Sequence, residues 1–445
     1  MDRRDFLKLA GAGSAAFALG GCSGSNFTET AGAKKTCRTG KTGPNIIYIL
    51  ADDLGYGDLG CYGQKKIKTP NLDKMAAEGM RFTDHYSGHT VCAPSRCSLV
   101  TGTHTGHCHI RGNHRVGPES NLPLPYSSFT IGELMKQAGY ETAIIGKWGL
   151  GGPGTSGHPN EQGFDYFFGF LDQMHAHNYY PEFLFRNDER VHLEGNVVPD
   201  AQPSGAGVAT QKEQYAHNLF MEEALSFLDK DHSKPFFLYL APTIPHANNQ
   251  ATDKTGDGME VPDYGIYADK NWTDPQKGMA AMVTLMDSDI GALFEKLRDK
   301  GIDEDTIVMF TSDNGPHKEG GYDPDFFNSN GPLKGMKRDF YEGGIRVPMI
   351  ARWPGKIEPS TTTDHASAFW DVMPTLAELA NIKSPPTDGI SFVPTLTGKD
   401  FRQKKHDYLY WEFANFGMQA VRMGNWKAIR FIKEDRIELY NLEKD

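Results

Sequence analysis

The sequence predicts an α/β fold: a large, mostly parallel sheet sandwiched by helices, with a small antiparallel sheet subdomain at the C-terminal end. Three observations predict it. Four short apolar runs, rich in β-branched and aromatic residues, recur with segments of helical length between them, the pattern of buried parallel strands. Each run ends in polar residues, as strands do where a ligand binds beyond the carboxyl edge of such a sheet. The final stretch instead carries short strand-like runs divided by tight turns. With 445 residues, 38% of them hydrophobic, the chain can bury a substantial core.

The runs can be justified in order. Residues 45–50 (Asn-Ile-Ile-Tyr-Ile-Leu) lead through Ala51 into Asp52 and Asp53. Residues 141–145 lead through Gly146 into Lys147, and residues 236–240 through Ala241 and Pro242 into Thr243, Ile244, Pro245 and His246. Residues 306–310 lead through Thr311 and Ser312 into Asp313 and Asn314. The four polar ends should therefore converge on one site. Asp52, Asp53, Asp313 and Asn314 offer hard oxygen ligands with no thiolate pair or histidine set among them, which suits one divalent hard cation, calcium ahead of magnesium, and not zinc. Taken singly, an Asp-Asp pair also serves as a turn or helix cap, and a lone histidine as a structural group. Toward the C-terminus, residues 408–413, 420–423, 426–431 and 437–440 read as antiparallel strands, with turns at Gly424-Asn425 and near Glu434-Asp435.

The most specific segment is Cys92-Ala93-Pro94-Ser95-Arg96, followed by Cys97, Ser98, Leu99, Val100, Thr101 and Gly102. Pro94 fits the first turn of a helix, and in a helix Arg96 lies one turn beyond Cys92. The string resembles the signature of type I sulfatases, members of the alkaline-phosphatase-like superfamily. The resemblance runs from about Pro44 to the end of the chain. It includes Ala51-Asp52-Asp53, Thr69-Pro70-Asn71-Leu72-Asp73, Gly146-Lys147-Trp148, Thr243 to His246, Ser312-Asp313-Asn314-Gly315 and Tyr341-Glu342-Gly343-Gly344-Ile345-Arg346.

The resemblance implies hydrolysis of a sulfate ester on a sulfated carbohydrate. It implies that Cys92 is converted to formylglycine by a separate maturation enzyme, so that a gem-diol becomes the nucleophile: one hydroxyl attacks sulfur, and the other expels sulfate by rebuilding the aldehyde. By the same resemblance Asp52, Asp53, Asp313 and Asn314 bind the cation together with residue 92. Arg96, Lys147, His246 and Lys337 serve the sulfate, with His246 as the leaving-group acid. Lys337 is preferred to Lys334 because its distance from Tyr341-Glu342-Gly343-Gly344 matches the family lysine. Two rivals stand beside this reading: a phosphomonoesterase or phosphodiesterase of the same superfamily, which would be expected to carry serine, threonine or unmodified cysteine at position 92, and a noncatalytic sulfated-glycan-binding protein.

One departure stands out. The family reads Gly-Lys-Trp-His-Leu-Gly, whereas here Gly146-Lys147-Trp148 continues as Gly149-Leu150-Gly151, so the histidine that contacts the nucleophile is missing. His109, His175 and His177 are candidates on residue type to supply what glycine cannot. His175 and His177 also lie in an aromatic stretch, Met174 to Pro181, suited to a sugar-binding loop, which could equally be a packed aromatic turn.

Residues 1–22 read as an export signal: Arg3-Arg4-Asp5-Phe6-Leu7-Lys8 resembles a twin-arginine signal, and Leu19-Gly20-Gly21-Cys22 a bacterial lipobox in which Cys22 would carry a lipid anchor. The apolar stretch between them is short for a membrane span. Residues 23–43 read as a flexible tether, 44–400 as the catalytic α/β domain, and 401–445 as a small C-terminal subdomain that relatives continue further. The expected place of work is the periplasm or cell envelope of a bacterium. A net charge of −11 opposes binding to nucleic acid or an anionic membrane surface, so an anionic substrate must be drawn by local charge. Six cysteines in a chain this long do not make a disulfide scaffold; Cys97 and Cys108 could pair in an oxidising envelope but read as buried free thiols.

Overall fold

The computed structural model describes residues 43–445. The export signal, Cys22 and the tether up to residue 42 lie outside the described residues. The strands are β1 (Asn45–Ala51), β2 (Met80–Phe82), β3 (His85–Tyr86), β4 (Glu141–Lys147), β5 (Tyr166–Phe170), β6 (Phe183–Arg186), β7 (Glu189–His192) and β8 (Phe236–Ala241). They continue as β9 (Thr306–Ser312), β10 (Met349–Arg352), β11 (Thr361–Thr363), β12 (Ser367–Ala368), β13 (Leu409–Phe413), β14 (Met418–Met423), β15 (Trp426–Phe431) and β16 (Arg436–Asn441).

Ten strands form one sheet in the order β11-β2-β10-β9-β1-β8-β4-β5-β6-β7. Its centre is parallel: β1 pairs with β9 and β8, β8 with β4, and β4 with β5. The flanks turn antiparallel at β10, β6 and β7. The four apolar runs are therefore the four adjacent central strands.

Period-two alternation explains why these strands sit in the middle. Along β1, Ile47, Ile49 and Ala51 face one core, and Ile46, Tyr48 and Leu50 face another. The first core is closed by the helices Ala216–Asp229 and Asp274–Asp299, through Phe220, Met221, Met286 and Ile290. The second is closed by Cys92–Thr101, Ile131–Gln137 and Val372–Leu379, through Leu99, Leu134 and Leu376. Each fully buried aliphatic side chain contributes about 1.5–3 kcal/mol relative to exposure, so a strand apolar on both sides is stable only between two helical layers.

The C-terminal strands form a separate antiparallel sheet, β13-β14-β15-β16. One face, carrying Leu409, Trp411 and Phe413, packs against Tyr86, Phe340, Ile345 and Trp370 of the large domain. Glu342 ties the two together, accepting from Lys427 Nζ at 2.7 Å and from the Tyr86 hydroxyl at 2.6 Å.

Candidate active site

The carboxyl ends of β1, β4, β8 and β9 bring their polar residues to one place. Asp52 and Asp53 follow β1 directly, and Asp53 adopts a left-handed φ of 65°. That turn lets its backbone N–H donate to Asp313 Oδ1 at 3.1 Å, while Leu54 N–H donates to Ser312 Oγ at 2.9 Å. The ends of β1 and β9 are thus laced together. At the end of β4, Gly146 is required: a Cβ there would meet the Ala241 carbonyl oxygen at 2.0 Å, and this close approach sets where Lys147 emerges.

Cys92 opens the helix Cys92–Thr101 and is buried, with its thiol donating to Asp52 Oδ1 at 3.3 Å. Burial, and then the Asp52 charge, push the Cys92 thiol well above its usual range. One helical turn on, Arg96 points to the strand ends. Its Nε and Nη2 reach Asp313 Oδ2 at 3.0 and 2.9 Å, and its Nη1 donates to the Lys147 carbonyl at 2.8 Å. The guanidinium fork expected to serve the sulfate is therefore engaged with a carboxylate and a backbone oxygen, and fixes Asp313.

The carboxylates divide the remaining cations between them. Lys147 Nζ donates to Asp52 Oδ2 at 2.6 Å, and Lys337 Nζ to Asp53 Oδ2 at 2.7 Å. Burial raises the affinity of Asp52 for a proton, but Lys147, His246 and Arg96 together outweigh it and hold the carboxyl well below its usual range. Asp313, where burial and the Asp52 charge dominate, is pushed up to about 7. Asn314 donates through Nδ2 to Asp53 Oδ1 at 2.6 Å, and its Oδ1 is buried with no hydrogen-bonding partner. Three buried carboxylates and an orphaned amide oxygen are a donor set that fits a hard divalent cation. Ligand atoms of Asp52, Asp53, Cys92 and His246 also lie within 4.8 Å of one another.

His246 follows β8 through the cis Ile244–Pro245 peptide and is buried. Its Nδ1 faces the Ala247 carbonyl at 2.7 Å, which leaves Nε2 toward Lys337 Nζ at 3.0 Å and Asp53 Oδ2 at 3.4 Å. Burial, then the Lys337 charge, lower the affinity of this imidazole for a proton. Lys337 also donates to Glu319 Oε2 at 3.1 Å. Lys334 lies apart, exposed over the Tyr341 and Tyr440 rings.

The sulfatase family profile matches residues 44–382. The chain belongs to the sulfatase family. A second profile, described as N-sulphoglucosamine sulphohydrolase, C-terminal, matches residues 336–445 of this sulfatase. The sulfatase is 34% identical over 409 residues to rat N-acetylgalactosamine-6-sulfatase, covering 86% of this chain and 71% of the relative. It is 35% identical over 409 residues to human arylsulfatase A, covering 86% and 74%. Among solved structures, Ps i-CgsB in complex with k-i-k-neocarrahexaose superposes with a TM-score of 0.73 at 29% identity, over 91% of this chain and 87% of that one. The sulfatase is a sulfuric ester hydrolase of alkaline-phosphatase-like fold.

The histidine candidates separate clearly in this sulfatase. His109 is exposed and lines a surface cavity with Thr103, Cys108 and Pro125. His175 is fully buried among Phe170, Phe183 and Gly205, a core residue and not a sugar ligand. Only His177 reaches the site, its ring 4.6 Å from that of His246 and 17° from parallel. Sequence reasoning missed Glu319, which holds both Lys337 and the half-exposed Arg338, and His317, whose ring lies 5.8 Å from the His246 ring. Their one signal was a place within six residues of the Asp313-Asn314 strand end.

Proposed function

We propose that the enzyme hydrolyses sulfate esters of a carbohydrate, using a formylglycine made from Cys92 and a bound divalent cation, calcium ahead of magnesium. The observation that carries this is the setting of Cys92: its thiol is buried at the start of a helix and donates its hydrogen to Asp52 Oδ1 at 3.3 Å, and a thiol that keeps its proton is a poor nucleophile. A hydrated aldehyde at the same position offers a hydroxyl to sulfur and a second one to release the sulfate. Asp52, Asp53, Asp313 and Asn314 would hold the cation, which when bound supplies Lewis-acid stabilisation of charge on the sulfate oxygens. Lys147 and Lys337, both buried and both paired with these carboxylates, carry the positive charge that balances the sulfate. His246 Nε2, which faces the Lys337 ammonium at 3.0 Å, is set to draw a proton from that ammonium and hand it to the leaving oxygen. A carbohydrate substrate is supported by relatives named for N-acetylgalactosamine 6-sulfate and by the neocarrahexaose complex.

The test is peptide mass spectrometry of residue 92 in protein made with and without a formylglycine-generating maturation enzyme, alongside turnover of sulfated mono- and disaccharides. Formylglycine content and turnover should rise together; full activity with unmodified Cys92 would refute the mechanism. The twin-arginine and lipobox patterns support a lipid-anchored enzyme of the bacterial envelope. Cys22→Ser should then move the protein from the membrane to the soluble fraction, and an unchanged distribution would remove the anchor.

A further inference from the structure

The vacant histidine position has been closed. Gly149 sits at a φ of +80°, and a Cβ built on it would fall 1.9 Å from Gln173 Nε2 and 2.6 Å from Gln173 Cδ. The Gln173 amide therefore occupies the space that a side chain at position 149 would enter. Gln173 is itself fixed, its backbone N–H donating to Asn121 Oδ1 at 2.8 Å. It begins a turn in which Asp172 Oδ1 accepts from the N–H groups of Met174 and His175 at 2.9 and 3.1 Å, and that turn runs into the short helix His175–His177. The same loop braces the His246 turn, because the Tyr179 hydroxyl donates to the Thr243 carbonyl at 3.1 Å and also bonds the His246 carbonyl.

His177 is delivered by this loop nearly parallel to His246, their rings 4.6 Å apart, while the His317 ring lies 5.8 Å from that of His246. Its Nδ1 is buried and has no hydrogen-bonding partner, while the residue as a whole stays partly open to solvent. The other basic groups are committed. Lys147, Lys337 and Arg96 are paired cations, the three aspartates carry those pairs, and His246 uses Nδ1 on Ala247 and turns its remaining nitrogen to Lys337.

We propose that His177 is a catalytic residue that takes over the duty of the absent family histidine: removal of the proton from the second hydroxyl of residue 92, so that sulfate leaves. The inference rests on the formylglycine reading above. In the step, the His177 nitrogen takes the hydroxyl proton, the O–H pair becomes the second bond of the aldehyde, and the bond from Cβ to the sulfate oxygen breaks with its electrons leaving on sulfate. Water then rehydrates the aldehyde, and the imidazolium returns its proton to solvent.

The experiment uses mature enzyme, His177→Ala and His177→Gln, each with its formylglycine content measured by peptide mass and its folding by melting temperature. Each is mixed with an activated aryl sulfate and quenched. Both variants should release a stoichiometric burst of phenol and then turn over ~10²–10⁴-fold more slowly, while the residue 92 peptide accumulates the mass of one sulfuryl group. Free imidazole should clear that adduct and restore turnover in His177→Ala. Wild-type turnover in both variants would overturn the proposal. So would slow turnover with neither burst nor adduct, which would mean that His177 only steadies His246. The peptide mass before substrate keeps this apart from a failure of the formylglycine reading, in which no aldehyde is present in any of the three proteins.

Discussion

Cys92 and His246 are the two residues at which chemistry and geometry can be tested separately. Serine in place of Cys92 keeps a hydroxyl at the start of the same buried helix, so it can attack sulfur, but it has no second hydroxyl with which to expel sulfate. Cys92→Ser should therefore release at most one equivalent of product and then stop, with the adduct visible by peptide mass; sustained multiple turnover would exclude the aldehyde. For His246, an acid that assists the leaving oxygen is worth roughly 10²–10⁴-fold, and less as the leaving alcohol becomes more acidic. His246→Ala should slow hydrolysis of a sugar sulfate far more than that of a nitrophenyl sulfate, measured as kcat/KM with metal content unchanged. Equal losses on both would make His246 a group that positions sulfate and would move the acid elsewhere, with Lys337 the nearest cation at 3.0 Å.

At the scale of elements, the parts legible in the sequence are those whose residues report their own surroundings. β1, β4, β8 and β9 are apolar on both faces, so their runs announce strands between two helical layers, and the polar residues that end them announce the site. β7, at the sheet edge, lacks that signal: Glu189, Arg190 and His192 are exposed and give no apolar run. Glu319 and Arg338 were illegible because their positions depend on tertiary approach of two loops, and His175 could not be told from His177 because a two-residue spacing in a 3₁₀ turn sends one to the core and the other to the site. The C-terminal sheet gave its strands by alternation but not the ion pair that docks it. Burial alone would raise the Glu342 pKa, yet Lys427 and then Arg346 bring it down to about 2. A carboxyl depressed in the folded state stabilises fully above its unfolded pKa near 4.3, and that contribution fades as pH falls toward about 2. Glu342→Gln should thus lower stability by up to ~3 kcal/mol at neutral pH. The gap in melting temperature between variant and wild type should close between about pH 4 and pH 2; a gap independent of pH would mean that shape, and not charge, docks the sheet.

Across the whole molecule, a protein of net charge −11 concentrates three buried cations, Arg96, Lys147 and Lys337, on the carboxylates of Asp313, Asp52 and Asp53, with a fourth, the half-buried Arg338, held beside them by Glu319. These carboxylates end two neighbouring strands, β1 and β9, that hydrogen-bond along seven residue pairs from Asn45 with Thr306 to Ala51 with Ser312. A cation shared by both strand ends would bind the folded chain and not the unfolded one, because unfolding scatters donors that are some 260 residues apart in sequence. Ligand present at a hundredfold excess over its dissociation constant adds about 2.7 kcal/mol to stability. Removing the cation with a chelator should therefore lower the melting temperature and the activity together, and calcium should restore both in the same concentration range. Magnesium should restore them less well, since it demands tighter octahedral geometry and gives up water reluctantly. Asp53→Asn, which removes one carboxylate, should shift the calcium titration of both readouts to higher concentration by the same factor. If the chelator abolished activity and left the melting temperature untouched at every calcium level, the cation would not be held by the two strand ends, and the assignment of Asp52, Asp53, Asp313 and Asn314 would fail.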